Sequence, residues 1–134
     1  AKAAGTLANL ALLTIQDSAT NIQTNLADLS DLAKDKKLSG VTLTGTGASL
    51  TIDRSTVTGD LSSTTTTNGT ALLLQKITSA YTLTVNNVGA LDAQTLKKPL
   101  ASTTLSINVK DTAATITTNL DKLQPLVKSK ALLD

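Results

Sequence analysis

The sequence predicts an α/β fold in which short strands alternate with amphipathic helices, and in which these strand-helix units stack in the manner of a solenoid. Threonine-rich runs alternate apolar and polar residues, as strands do, while other segments place apolar residues three and four apart, as helices do. Residues 17–38 and 111–132 are also identical at 11 of 22 positions without a gap. We therefore predict one repeat-built domain over residues 1–134, with copies at about 12–40 and 106–134.

Composition narrows the range of functions. The 134 residues include no cysteine and no histidine, Tyr81 is the only aromatic residue, and the formal net charge is +2. These absences exclude a zinc site, an iron–sulfur cluster, a thiol nucleophile and a serine-histidine-aspartate triad. They also remove the aromatic platform on which single-stranded nucleic acid stacks. We predict a protein that is not an enzyme, that uses no cofactor or metal, that binds no nucleic acid and that does not span a membrane.

Each repeat copy reads as a strand followed by a helix. The strand is predicted at 13–15 in the first copy and at 107–109 in the second. Asp17 and Asp111 follow, where a carboxylate can accept a hydrogen bond from a free N–H group of the first helical turn, so both are predicted helix N-caps. The apolar stripe of the two helices defines the predicted repeat core: Ala19, Ile22, Leu26, Leu29, Ala113, Ile116, Leu120 and Leu123.

The ends of these helices carry their own signals. Lysines fall in the last turns of both copies, where they favour the exposed carbonyl groups and end the helix. Pro125 removes a backbone donor inside the second copy, so we predict a kink or an early end near Gln124. Asn25 and Asn119 recur inside the helices. They predict either a polar ladder between stacked units or side chains bonded to the nearby backbone.

Further elements are predicted between the copies. Alternating strings indicate strands at 41–46, 49–53 and 81–85, and weaker helical patterns cover 70–79 and 90–98. The first two of these strands could form a local hairpin through Gly45 and Gly47, or could pair in parallel through crossovers, and the sequence leaves both open. Residues 54–69 contain four consecutive threonines and few bulky apolar residues, which predicts a mobile loop.

Charged side chains offer weak site candidates. Asp28, Asp31 and Asp35 share a helix face that could bind a cation, although Lys34 and Lys36 beside them favour ordinary solvated ion pairing. Calcium binding has no motif behind it, because no glycine-rich nonapeptide is present. The aspartates of this helix face are therefore not predicted to form a functional site.

The repeat resembles a known family of sequences. Both copies fit the string D-[ST]-A-x-x-I-x-x-N-L-x-x-L, and residues 77–96 read ITSAYTLTVNNVGALDAQTL. These strings resemble the long tandem repeats of very large exported bacterial surface proteins, over about residues 12–134. The resemblance implies export, often by a type I route, and a structural or adhesive role at the cell surface, in surface layers or biofilm matrix.

Two functional hypotheses follow. The first is a non-enzymatic structural or adhesive module of an extracellular bacterial surface assembly, which stacks end to end. Its partner would be a second copy, head to tail, or the adjacent repeats of the same polypeptide, since the two ends of a repeat unit are complementary in kind. The second is a glycan-binding or protein-binding module of a secreted adhesin, in which the segment 54–69 or the strand faces contact surface polysaccharide or a partner protein.

Overall fold

The computed structural model describes residues 12–128 and contains, within that range, five short parallel strands in two sheets and six α-helices. The predicted α/β class is therefore confirmed. In chain order the elements are β1 Leu13–Ser18, α1 Ala19–Thr24, α2 Leu26–Lys34, β2 Leu38–Thr44, β3 Ser49–Asp53, α3 Gly69–Gln75, β4 Tyr81–Val88, α4 Ala90–Ala93, β5 Thr103–Val109, α5 Ala113–Thr118 and α6 Leu120–Lys128.

All strand pairing is parallel. The first sheet pairs β1 with β2, and the second has the order β3-β4-β5. Because β2 and β3 lie in different sheets, the hairpin alternative for 41–53 is wrong. Gly45 and Gly47 adopt positive φ angles of 89° and 66° between these strands. Glycine tolerates this backbone conformation, which lets the chain leave one sheet and enter the other.

The core is almost entirely aliphatic. Leu50, Leu83 and Val85 of the second sheet are fully buried, as are Leu73 and Leu74 of α3. Inward-facing side chains alternate along β4 with half-buried ones, as the strand period requires. Helix α3 packs against α2, and Gly69 lies so close to the backbone carbonyl of Ser30 that a Cβ atom would overlap it. The helix layer is thus packed through backbone contact.

The N-cap predictions for Asp17 and Asp111 are wrong by one position. The caps are Ser18 and Thr112, whose hydroxyl oxygens accept hydrogen bonds at 3.2 Å from the N–H groups of Asn21 and Thr115. In the first copy β1 continues through Ser18, so the helix begins later than predicted. In the second copy the carboxylate of Asp111 bonds instead to the N–H of Ala90, and Thr112 supplies the cap. Asp17 lies one residue outside the helix, where its carboxylate accepts from the N–H of Ser18.

Each predicted repeat helix is two helices. The break falls at Asn25 in the first copy and at Asn119 in the second, with φ and ψ of −102° and 19°, and of −106° and 10°. Each side-chain amide donates at 2.9 Å to the carbonyl four residues earlier, which competes with regular helical bonding. Helix α6 then runs through Pro125 to Lys128. The predicted end near Gln124 is therefore wrong, and the break in the helical segment lies at Asn119 instead.

Residues 54–69 bury more than their composition predicts. A short 3₁₀ turn, Arg54–Thr56, is followed by Val57 and Leu61, both fully buried. The side-chain amide of Gln75 donates to the carbonyls of Leu61, at 2.8 Å, and Ser63, at 3.0 Å. Two aliphatic anchors and a double hydrogen bond therefore attach this segment to α3. The helices predicted at 70–79 and 90–98 are shorter, ending at Gln75 and Ala93.

The second residue after helix α2 has a left-handed backbone conformation, which gives a stability prediction. Lys36 has a φ of 58°, with its N–H bonded to the carbonyl of Ala33 and that of Lys37 bonded to Leu32. Glycine avoids the cost of this left-handed conformation, about 1 kcal/mol or more. Lys36→Gly should therefore raise the free energy of unfolding, measured in urea. Lys34→Gly, at the last residue of the helix, should lower it, because glycine is a poorer helix former than lysine. Equal effects of the two substitutions would contradict the assignment.

The buried Tyr81 makes the stability of the fold depend on pH in the alkaline range. Its side chain is buried, its hydroxyl donates to the carbonyl of Leu74 at 3.1 Å, and burial raises its pKa to about 12 from 10.0. Because the folded state favours the neutral phenol, the associated stability is complete below pH 10 and is lost as the pH rises towards 12. Phenolate absorbance should follow this titration cleanly, since the chain has one tyrosine and no tryptophan. Tyr81→Phe should remove this contribution, and the same alkaline loss in both proteins would contradict it.

Candidate interaction surfaces at the two ends of the repeat

The two repeat copies occupy two different sheet edges. Strand β1 is an edge of the first sheet and β5 is an edge of the second. We call β1 with α1 and α2 the N-terminal unit, and β5 with α5 and α6 the C-terminal unit. Both have the same order of elements, strand followed by two short helices, and both break between the helices at the repeated asparagine. They are therefore equivalent structures in unlike surroundings.

The apolar stripe is covered in one unit and largely open in the other. In α2, Leu29, Leu32 and Ala33 are buried, the last with 4% exposure. Of the predicted repeat core, the first copy has Ile22 and Leu29 buried with Ala19 and Leu26 half-buried, whereas the second has only Leu123 buried, Ile116 half-buried, and Ala113 and Leu120 exposed. Ala113 and Leu120, which the apolar stripe places in the repeat core, are therefore not buried within the described residues.

The missing cover of α6 can be identified by comparison with α2. Helix α2 is covered by α3, and its unit is closed by β2, which pairs with β1. In the described part of the chain, no strand pairs with the outer edge of β5. Leu120 is 49% exposed and Val127 is 46% exposed as a result. We call the outer edge of β5 together with Leu120 and Val127 the C-terminal face.

In residues 12–128, no α4-type helix precedes the N-terminal unit. In the C-terminal unit, Asp111 accepts a hydrogen bond at 3.0 Å from the N–H of Ala90, and Asn119 accepts one at 3.1 Å from the side chain of Gln94. Both donors belong to the α4 region, which precedes β5 in the chain. Asn119 is 7% exposed, whereas its repeat equivalent Asn25 is exposed. In the C-terminal unit, the repeated Asp and Asn thus join the unit to the α4 region that precedes it.

We call the outer edge of β1 together with Asp17 and Asn25 the N-terminal face. Asp17 accepts hydrogen bonds at 2.7 Å from the backbone of Ser18 and the side chain of Asn21, both within its own unit. Leu13 is half-buried, while its equivalent Ile107 is buried beside β4. This face therefore presents the same residues that β4 and α4 cover in the C-terminal unit.

A third sheet edge is closed by a side chain. The amide group of Gln23 donates to the carbonyl of Thr51 at 2.8 Å and accepts from the N–H of Thr51 at 2.7 Å, as a neighbouring strand would. This pair of bonds blocks the outer edge of β3, which would otherwise be available for pairing with another chain. Sequence reasoning missed this contact, because a lone glutamine on a helix gives no local signal of what it will meet.

Hydrogen bonding sets the electrostatics of the carboxylates. The N–H of Ala90, followed by that of Thr112, holds the pKa of Asp111 below its ordinary value of 3.8. Hydrogen bonds from the side chain and backbone of Ser55, with one from Asn87, do the same for the pKa of Asp53. These carboxylates are thus held ionised by structural contacts, not poised to exchange protons near neutral pH.

Two cavities have charged side chains among a largely apolar lining. One of about 700 Å³ is lined by Arg54 and Asp92, whose ion pair has N–O distances of 2.5 and 3.0 Å, together with Asp60 and Lys97. Another of about 610 Å³ places Lys34, Lys36 and Lys76 around Ala33, Leu38 and Leu72. In the first cavity the guanidinium group of Arg54 is already bonded to Asp92. The second could attract an acidic group through its lysines.

Three further findings concern metal binding, membrane-spanning helices and similarity to known proteins. Residues 12–128 include no group of three acidic side chains placed to hold a metal ion, so Asp28, Asp31 and Asp35 do not form one. No helix in that range is long and apolar enough to cross a membrane. The chain matches no protein family, no curated protein and no solved structure.

The unequal roles of the two repeated aspartates can be tested directly. Asp111→Ala should lower the melting temperature more than Asp17→Ala, because only Asp111 bonds to α4. The pKa of Asp111 is lowered in the fold, so its contribution is present at neutral pH and is lost as the pH falls below 3.8. Melting curves at neutral pH and in acid should therefore differ less for Asp111→Ala than for the unsubstituted chain. Equal melting temperatures of the two variants would contradict the joint.

Proposed function

We propose that this chain is a non-enzymatic structural or adhesive repeat module of an extracellular bacterial surface assembly, and that it acts by end-to-end stacking of its strand-helix units in a solenoid-like array. One observation carries the proposal: two equivalent units lie at two sheet edges, and within residues 12–128 each is without the neighbour that covers the other. A unit of this kind is completed by the next unit, as in other repeat architectures.

The surface assignment rests on the likeness of the repeat to those of exported bacterial surface proteins. The composition is compatible with it, since a chain without cysteine has no thiol to oxidise outside the cell. The strongly hydrogen-bonded carboxylates support a structural role, because Asp53 and Asp111 each bind neighbouring backbone groups. Surface layers, filaments and biofilm matrix are the assemblies in which such a module would serve.

A row of hydroxyl groups supports the second candidate function, a glycan-binding or protein-binding module. Ser49, Thr82 and Thr104 are aligned across β3, β4 and β5, with Ser49 and Thr104 exposed. Hydroxyl groups can donate and accept hydrogen bonds with a sugar. The row lacks an aromatic platform, which makes it the weaker of the two candidates.

Surface labelling and assembly together test the proposal. Antibodies raised against the purified chain should label intact bacterial cells that encode it. On those cells the antigen should take one of two forms. It should be either a polypeptide much larger than 13.7 kDa, seen by immunoblot, or filaments assembled from copies of a smaller chain, seen by electron microscopy. Labelling only after permeabilisation would contradict the surface role. Saturable binding on a glycan array, lost in Thr82→Val with Thr104→Val, would favour the second candidate.

A further inference from the structure

We infer that the C-terminal face is the first part of a strand-helix-strand unit, and that its occupant is a segment of the kind found at residues 38–75. The strand of this segment would pair in parallel with the outer edge of β5, and its helix would cover α6. The inference rests on the proposed stacking and adds to it the identity, direction and register of the partner.

The template for this interaction lies within the chain. The N-terminal unit is closed by β2, in a register that places Leu13 opposite Leu38, Thr14 opposite Gly40 and Ile15 opposite Val41. The repeat shift of 94 residues makes Ile107 the equivalent of Leu13. The expected register on β5 therefore places Ile107 opposite a Leu38-type residue and Val109 opposite a Val41-type residue.

The backbone of β5 presents the correct groups at its outer edge. The N–H of Leu13 points to β2, where it donates to the carbonyl of Lys37 at 2.8 Å. In β5 the N–H of Lys110 points inward, to the carbonyl of Val88 at 2.9 Å. Because successive peptide groups of a strand alternate in direction, those of Ile107 and Val109 face outward. They are the repeat equivalents of the groups in β1 that β2 uses.

The apolar cover matches as well. In α2, whose unit has β2 and α3 as neighbours, Leu26 is half-buried and Ala33 is buried. Their repeat equivalents in α6 are Leu120, which is 49% exposed, and Val127, which is 46% exposed. Burying these two side chains would remove apolar surface from water and contribute to stability. The occupant must therefore bring a helix of the α3 type as well as a strand.

A second folded copy docked through its β1 edge fits less well. The backbone peptide groups at the outer edge of β1 are the repeat equivalents of those through which β5 pairs with β4. The outer edge of β1 therefore matches a β4-type strand that is followed by an α4-type helix. Docking β1 onto β5 would leave Leu120 and Val127 without an α3-type cover, and would leave Asp17 and Asn25 without an α4-type donor. The two faces therefore each match an inner part of a neighbouring unit.

An extended chain tests this inference. Residues 1–132 are followed by a copy of residues 39–79, so that Leu132 takes the place of Leu38. Val127→Cys provides the only thiol, because the natural chain has no cysteine. We expect the extension to slow thiol modification at position 127 by at least about tenfold, since a covered side chain reacts only after local opening.

Two controls accompany this measurement. Thr58→Cys, exposed and outside the C-terminal face, should react at the same rate with and without the extension. A second extension, carrying aspartate in place of the copied Val41 and Leu43, should not protect position 127. Protection by this polar extension, or equal reactivity at 127 in the extended and unextended chains, would overturn the inference. The thiol measurement tests the register of the added strand on β5, whereas the labelling of intact cells tests the surface role. Failure of one proposal is therefore distinguishable from failure of the other.

Discussion

Parallel pairing of strands that follow one another within each sheet is the constraint on which this structure depends. Parallel strands cannot be joined by a tight turn, so each pair requires a connection that crosses a face of the sheet. In this chain the crossing segments are short amphipathic helices, whose apolar sides need a cover from the element that comes next. Helix α2 receives its cover from α3, 35 or more residues later in the chain. The N-terminal unit is therefore completed by the elements that follow it in the chain.

This dependence explains why two copies of one sequence pattern have different surroundings. The carboxylate and the asparagine of the repeat bond to α4 in the C-terminal unit and to their own unit in the N-terminal one. The difference is positional, because an α4-type helix precedes only one of them in residues 12–128. Polar residues that recur in a repeat thus connect units, while the apolar residues fill them.

The aliphatic composition suits such an arrangement. A core of leucine, isoleucine, valine and alanine packs thin layers without the bulk of aromatic rings, and the one aromatic side chain, Tyr81, reaches a carbonyl of α3. Edges that are not continued need protection, and Gln23 supplies it for β3. Among the described residues, no side chain from another element is bonded across the outer edge of β1 or β5 in the way that Gln23 is bonded to β3.

The sequence by itself determined the local elements, since the spacing of apolar residues is a local property: the strand at 81–85, the helical stripes after residues 17 and 111, and the equivalence of the two copies. Only the tertiary structure decided that β2 and β3 lie in different sheets, that Val57 and Leu61 anchor the threonine-rich segment, and that Asp111 bonds to α4. The reason is that burial and hydrogen-bond partners come from residues far apart in the chain, so identical motifs acquire different environments from different neighbours.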